Sequence, residues 1–369
     1  MRARVAVFVA IIQLILFLAH WFLYDTWTAF SAHPDTAGND AMKVVAVLLS
    51  ISFVSASLLA FRNSSWLTRV FYRLAAVWLG TLNFLFLAAC ACWAILLTAL
   101  LTGQHLSRQP WAFLLFGLAI LAAASGLLNA RWIREKRVTL QLPGLPDAWR
   151  GRVAALVSDL HLGHVNGQAF LRHLVARLNH LKPDIVLVTG DLFDGTKVDA
   201  NAAAAPWKNC SPPLGTYFVT GNHEEFSDSS PYLEAIRRSG MQVLTNEKVE
   251  VEGIQIAGVE HHVSTRADSF RRAMQGMGID DQRPSILLSH SPHLLAIPEA
   301  VGVSLQLSGH THGGQIPPFT WFTRRIFGAY THGLNRFGNM LVYTSFGVGT
   351  WGPPMRLGTY PEIVLLEFA

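Results

Sequence analysis

The chain has 369 residues, 51% of them hydrophobic and only 14% charged, with a mean hydropathy of +0.31. That is too apolar for an ordinary soluble protein. Its net charge of +5 is uneven: residues 1–150 carry 12 Lys+Arg against 5 Asp+Glu, and residues 151–369 carry 17 against 19, so the C-terminal part lacks the basic surface of a nucleic-acid-binding domain and no nucleic-acid partner is expected.

Four apolar runs come first, at residues 5–24, 44–61, 74–101 and 111–128. Each is near or above the roughly 20 residues that cross a bilayer. Trp21, Tyr24, Trp27, Trp66, Tyr72, Trp111 and Trp132 gather at their ends, as in an interfacial belt. Arg2, Arg4, Arg62, Arg69, Arg73, Arg131, Arg134, Lys136 and Arg137 fall on one side and only Lys43 and Arg108 on the other. This bias predicts a multi-pass protein of the inner (plasma) membrane with both termini in the cytoplasm. A cleavable signal at Ala29-Phe30-Ser31 is the competing reading, disfavoured because Asp25 separates it from the apolar run. His20, near the end of the first run, is the one ionisable residue within these runs, so the region (1–133) reads as an anchor rather than a transport pathway. Cys90 and Cys92 sit in the third run and Cys210 far away, which gives no disulfide framework.

Residues 134–150 read as a linker, basic at first and then broken by Pro143-Gly144-Leu145-Pro146. Beyond it, residues 151–369 alternate strands and helices. Residues 153–157, 185–188, 216–219, 241–244, 249–259, 285–288, 303–307, 340–345 and 363–368 read as strands, and residues 168–181 carry a helical apolar stripe. The alternation predicts an α/β domain.

Five of these strands end in a short loop bearing Asp, Asn or His: Asp159 and His161, Asp191, Asn222 and His223, His290, and His310 with His312. Open α/β sheets build their sites just beyond the carboxyl ends of strands. In extended backbone, residues i and i+2 point the same way, so His310 and His312 are expected to aim at one spot. Singly, each residue has a plain structural reading: Asp159 and Asp191 as helix caps, Asn222 as a turn residue, His161 and His290 as surface residues. Jointly they favour a two-metal centre. Carboxylate, imidazole and amide donors suit Mn, Fe, Zn or a similar divalent ion, and two such ions about 3.5–4 Å apart can clamp a phosphoryl group and activate water.

Asp159-x-His161, Gly190-Asp191, Gly221-Asn222-His223-Glu224, His290 and Gly309-His310-Thr311-His312 together resemble the signature of the calcineurin-like metallophosphoesterases. The resemblance covers residues 150–369. The stretch 309–315, the later Gly347-x-Gly349 and the membrane-attached layout look most like the family's membrane-associated bacterial branch. It implies an αββα sandwich of two mixed sheets flanked by helices. It also implies that Asp159, His161 and His312 hold one divalent metal ion, that Asn222, His290 and His310 hold the second, and that Asp191 bridges them with its two oxygens. His223 is left to face the substrate as phosphoryl stabiliser or general acid, and metal-activated hydroxide is the implied nucleophile.

Other residues divide less sharply. Asp194 is favoured as a turn residue, Glu224 either orients His223 or caps a helix, and His261 and His262 are favoured as surface-loop residues. The segment 317–327 mixes aromatics with two arginines, so Trp321, Arg324 and Arg325 are candidate substrate contacts beside the membrane. The expected protein is a membrane-anchored dinuclear phosphoesterase acting on a phosphodiester or pyrophosphate, with a lipid-linked or amphipathic substrate favoured. The alternatives are an anchored phosphodiesterase for a soluble nucleotide and, third, a non-catalytic metal-binding scaffold.

Overall fold

The computed structural model describes residues 2–31, 36–226 and 228–369. The chain forms two compact units, Met1–Leu128 with Gly352–Met355, and Asn129–Trp351 with Arg356–Ala369.

The first unit is built from α1 (Arg2–Phe30), α2 (Thr36–Ala60), α3 (Trp66–Leu101) and α4 (Arg108–Asn129). All four are long and apolar enough to cross a membrane, and side chains such as Leu14, Leu48, Leu100 and Leu121 point outward unpacked, as on a lipid-facing surface. The helices outrun the apolar runs because polar residues at their ends stay helical. The Thr26 hydroxyl donates to the Phe22 carbonyl at 2.7 Å, and Ser65 caps α3 by accepting from the Thr68 amide. As a result His20 lies well inside α1, not near an end. It is buried and fully paired: its Nδ1–H donates to the Leu16 carbonyl at 2.7 Å and its Nε2 accepts from the Trp78 indole at 2.8 Å.

The second unit holds two six-stranded mixed sheets. One runs β1 (Arg134–Leu140), β12 (Glu362–Phe368), β2 (Val153–Val157), β3 (Ile185–Val188), β4 (Thr216–Phe218), β5 (Gln242–Val243). The other runs β10 (Gly333–Phe337), β11 (Met340–Thr344), β9 (Leu305–Ser308), β8 (Ser285–Ser289), β7 (Ile254–Val259), β6 (Glu247–Val251). Strand alternation builds the layers. Ala154 and Leu156 of β2 face Ile286, Leu288, Leu305 and Leu307 between the sheets. Ala155 and Val157 turn outward onto Leu171, Leu174 and Leu178 of α5 (Gln168–Leu181), a layer that α6 (Ala200–Ala204) and α7 (Ser230–Arg238) extend. On the far side, Phe270, Met274 and Met277 of α9 (Ala267–Met277) cover Ala257 and Leu287, near the short α8 (His261–Ser264) and α10 (Ala296–Ala300). The order helix, sheet, sheet, helix is the expected sandwich.

Two strands escape the sequence pattern. Residues 134–140, expected as linker, form β1, which pairs in parallel with β12 from Arg134↔Glu362 to Leu140↔Phe368. Charged residues disguise it: Glu135 and Arg137 face outward into ion pairs with Arg177 and Glu367, as suits an edge strand. Only four residues separate it from α4. The other is β10, antiparallel to β11.

Strands β2, β3, β4 and β5 run parallel to one another, as do β7, β8, β9 and β11. Their carboxyl ends therefore bring the loops with Asp159, Asp191, Asn222, His290 and His310 to one place.

Candidate metal centre

The loops after β2, β3 and β9 make abrupt turns instead of continuing the strands. Asp159, His161, Asp191, His310 and His312 all have positive φ, between 46° and 69°. For residues with a Cβ this backbone costs about 1 kcal/mol or more each, and it concentrates at functional sites. His310 and His312 thus reach the site from left-handed turns, and the extended geometry expected of them is absent. The chain closes tightly around them: a Cβ on Gly309 would lie 1.9 Å from Ser158 Oγ and 2.2 Å from Asp159 Oδ2.

Two clusters result. In the first, His312 Nε2 lies 3.0 Å from His161 Nε2 and 3.3 Å from Asp159 Oδ1. In the second, His290 Nε2 lies 3.1 Å from Asn222 Oδ1, 3.1 Å from His310 Nδ1 and 3.3 Å from Asp191 Oδ2. Asp191 Oδ2 also lies 3.7 Å from His161 Nε2. One oxygen of Asp191 therefore faces both clusters, while Oδ1 accepts the His223 amide at 2.9 Å.

Around each cluster, carbonyls fix which ring nitrogen faces inward. The Thr189 carbonyl accepts from His290 Nδ1 at 2.7 Å, and the Asp194 carbonyl accepts from His223 Nδ1 at 2.8 Å. His290 Nε2 and His223 Nε2 are thereby turned to the centre; His223 Nε2 stands 4.0 Å from Asp191 Oδ2.

The donor set fits cations. Facing imidazole nitrogens 3.0 Å apart, beside a buried carboxylate, hold more lone pairs than protons, and a buried polar group left in that state is costly. Groups drawn from Asp159, His161, His312, Asp191, His223 and His290 each bring three ligand atoms within 4.8 Å of one another. Burial pushes the Asp159 carboxyl up to about 6, pulls His310 down to about 3, and holds His161 and His312 well below the imidazole range. At His290 the Asp191 and Asp159 carboxylates outweigh burial and raise the imidazole to about 10. Burial thus favours the neutral form of His161, His310 and His312, the form in which an imidazole can ligate a metal, and Asp191 is kept ionised against burial chiefly by His290.

Glu224 neither orients His223 nor caps a helix. Fully buried, it accepts from the Asp191 and Gly221 amides through Oε2 and from the Phe193 amide through Oε1, so it ties two of the site loops together. Burial, then the Asp191 charge, raises it to about 8. Asp194 is the expected turn residue, its carboxylate taken by Thr196; its carbonyl does the further work on His223. Sequence reasoning missed Arg356. Wholly buried, it donates to the carbonyls of His312, Phe346 and Gly349 at 3.2, 2.7 and 2.6 Å and so anchors the His312 loop. No motif marks it in the sequence.

His261 is half-buried, not a surface residue, with its ring 5.4 Å from His290 and 5.6 Å from His310. His262 is exposed and sits 3.3 Å from Glu225. Glu225, Glu260 and His262 form a further group of ligand type, but Glu225 is occupied by the His261 and His262 amides at the start of α8. Trp321, Arg324 and Arg325 lie exposed on α11 (Phe319–Phe327), directly after the His312 turn. Neither arginine forms an ion pair among the described residues.

The model of the calcineurin-like phosphoesterase family matches residues 153–314. A zebrafish (Danio rerio) transmembrane protein with metallophosphoesterase domain is 31% identical over 351 residues, covering 86% of this chain and 78% of its own. An uncharacterized metallophosphoesterase of Aquifex aeolicus is 31% identical over 255 residues, 68% of this chain and 97% of its own. One from Campylobacter jejuni is 28% identical over 337 residues, 88% of this chain and 89% of its own.

Proposed function

The chain belongs to the calcineurin-like metallophosphoesterases and is a phosphoesterase hydrolase; from that premise we propose that it hydrolyses a phosphodiester or pyrophosphate of a lipid-linked or amphipathic substrate at a dinuclear centre. In this reading Asp159, His161 and His312 would hold one divalent ion, Asn222, His290 and His310 the other, and Asp191 would serve both. The observation that carries it is the shared oxygen of Asp191, 3.3 Å from one histidine set and 3.7 Å from the other. When bound, two such ions supply Lewis-acid stabilisation of the phosphoryl group and an acidified water.

The chain's own residues do the rest. Because the Asp194 carbonyl keeps a proton on His223 Nδ1, an imidazolium at His223 delivers its second proton from Nε2, the atom turned to the centre. That is the geometry a general acid needs at a leaving oxygen. The rings of Phe226, 4.4 Å from that of His223, and Trp351, at 5.8 Å, pack beside this imidazole. Trp321, Arg324 and Arg325 contact the substrate, the arginines through its phosphate oxygens.

Residues 1–133 anchor the enzyme and residues 151–369 catalyse. In this reading the catalytic part lies on the cytoplasmic side of the inner membrane, which the charge bias of the flanks supports; a C-terminal reporter active only on the outer side overturns that orientation. The amphipathic substrate is supported by the covalent link to four apolar helices. The test uses the full chain in detergent with Mn²⁺ and bis(p-nitrophenyl) phosphate. Turnover should fall by roughly 10³-fold or more in Asp191→Ala and by about 10²- to 10⁴-fold in His223→Ala. Undiminished turnover in Asp191→Ala sinks the assignment.

A further inference from the structure

Large apolar side chains exposed on the second unit are not scattered. Nine described residues beyond position 128 fall in that class, and seven lie on segments that carry or adjoin side chains close to the site histidines. Phe319, Trp321, Phe322 and Ile326 lie on α11, Phe226 and Trp351 flank His223, and Leu294 follows His293, whose ring lies 6.5 Å from His310. The other two are Trp132 and Leu334. Ile326 is 70% exposed, Trp321 62%, Phe226 57% and Trp351 56%.

α11 shows what kind of surface this is. None of its nine residues is buried. At 100° per residue, Phe319, Phe322 and Ile326 share one stripe; Arg325 lies about 90° to one side of it, Trp321 about 130° and Arg324 nearly opposite. Thr320, Thr323 and Phe327 are the less exposed residues, and Phe327 reaches inward to within 5.0 Å of His293 and 6.2 Å of His310, ring to ring. An apolar stripe bordered by arginine is the pattern of a helix lying in a membrane interface. A contiguous exposed apolar patch marks a membrane or protein contact.

We propose that the rim formed by α11, Phe226 and Trp351 is a lipid-contacting surface, which seats the mouth of the site in the headgroup layer of an anionic bilayer. Two observations favour lipid over a protein partner. Arg325, at the side of the apolar stripe and without an ion-pair partner among the described residues, complements anionic headgroups, and the unit is joined through a four-residue connection to an apolar helix long enough to span a membrane. The aromatic stripe lies at the headgroup boundary, with Arg325 beside it on lipid phosphate, that of a lipid-borne substrate included. The consequence for the site is direct: a phosphoester carried on a lipid enters laterally from the bilayer, its apolar part remaining among Phe226, Trp351 and α11. This use of the rim rests on the phosphoesterase reading, whereas the contact with lipid does not.

The test uses full-length protein in nanodiscs containing phosphatidylglycerol. In a background with Cys90, Cys92 and Cys210 replaced by Ala, single cysteines at Ile326→Cys and Trp351→Cys carry an environment-sensitive fluorophore. Arg172→Cys on α5 and Arg271→Cys on α9 serve as controls on the two outer helical layers. Lipids spin-labelled at the headgroup should quench positions 326 and 351 severalfold more than the controls, and less strongly when phosphatidylcholine replaces phosphatidylglycerol. Quenching no greater than at the controls overturns the proposal, as does protection from a soluble quencher without quenching by lipid, which indicates a protein partner. Turnover of bis(p-nitrophenyl) phosphate by the unlabelled chain is read separately, so a failure of lipid contact and a failure of the phosphoesterase reading are told apart.

Discussion

His20 and His161 are both buried histidines, one in the helical unit and one in the α/β unit, and they differ in what surrounds their nitrogens. Trp78 and the Leu16 carbonyl give His20 one donor and one acceptor, the complement of a neutral imidazole. His161 Nε2 instead meets another imidazole nitrogen at 3.0 Å and carboxylate oxygens at 3.7 and 4.0 Å. Burial alone does not mark a site. Converging lone pairs with too few protons do, and in this molecule they occur where strand ends meet, while inside the helices His20 and Thr26 are each bonded to a tryptophan indole and a backbone carbonyl.

The largest break in that contrast is expected from removing cations. Chelation should abolish turnover and lower the melting temperature of the α/β unit, with both restored by Mn²⁺, because ions that bind only the folded chain stabilise it by mass action. Turnover that survives exhaustive chelation would mean that the converging donors hold nothing the reaction needs.

A smaller effect follows from Asp159. Its folded carboxyl is raised by burial from 3.8 to about 6. Its contribution to the stability of the metal-free fold is therefore complete below the ordinary carboxylate value and is lost as pH rises through about 6. A bound cation reverses this, since it requires the ionised form. The melting-temperature gain from Mn²⁺ should accordingly grow between pH 5 and pH 7; a gain independent of pH across that range contradicts the assignment of Asp159 to a metal.

The smallest effect on chemistry belongs to the paired histidine. His20→Phe leaves the Trp78 indole without its acceptor, at a cost of about 1–3 kcal/mol to the helical unit. It should leave turnover of bis(p-nitrophenyl) phosphate unchanged. A large loss of turnover would show that His20 serves more than packing.

Much of this was legible in the residues. The four helices follow from long apolar runs, and the strand ends from short apolar runs that stop at Asp, Asn or His. What stayed hidden depends on contacts between distant segments. Strand β1 is disguised by Arg134, Glu135, Lys136 and Arg137, which become intelligible once β12 lies beside them. Arg356 is a lone arginine in the sequence, and its role exists only where the carbonyls of His312, Phe346 and Gly349 converge. Glu224 was placed at the site by the motif, but its bonds to the Asp191 and Phe193 amides of the neighbouring loop have no local signal. The left-handed turns at Asp159, Asp191 and His310 have only a weak signal in the residues: Asp and His enter that backbone more readily than most residues with a Cβ, but only uncommonly.

The central claim, that Asp191 stands between two cations, is tested most directly by anomalous diffraction from crystals grown with Mn²⁺. Two peaks about 3.5–4 Å apart, one among Asp159, His161 and His312 and the other among Asn222, His290 and His310, with Asp191 Oδ2 between them, are predicted. A single peak, or peaks at the Glu225, Glu260 and His262 group alone, would contradict it.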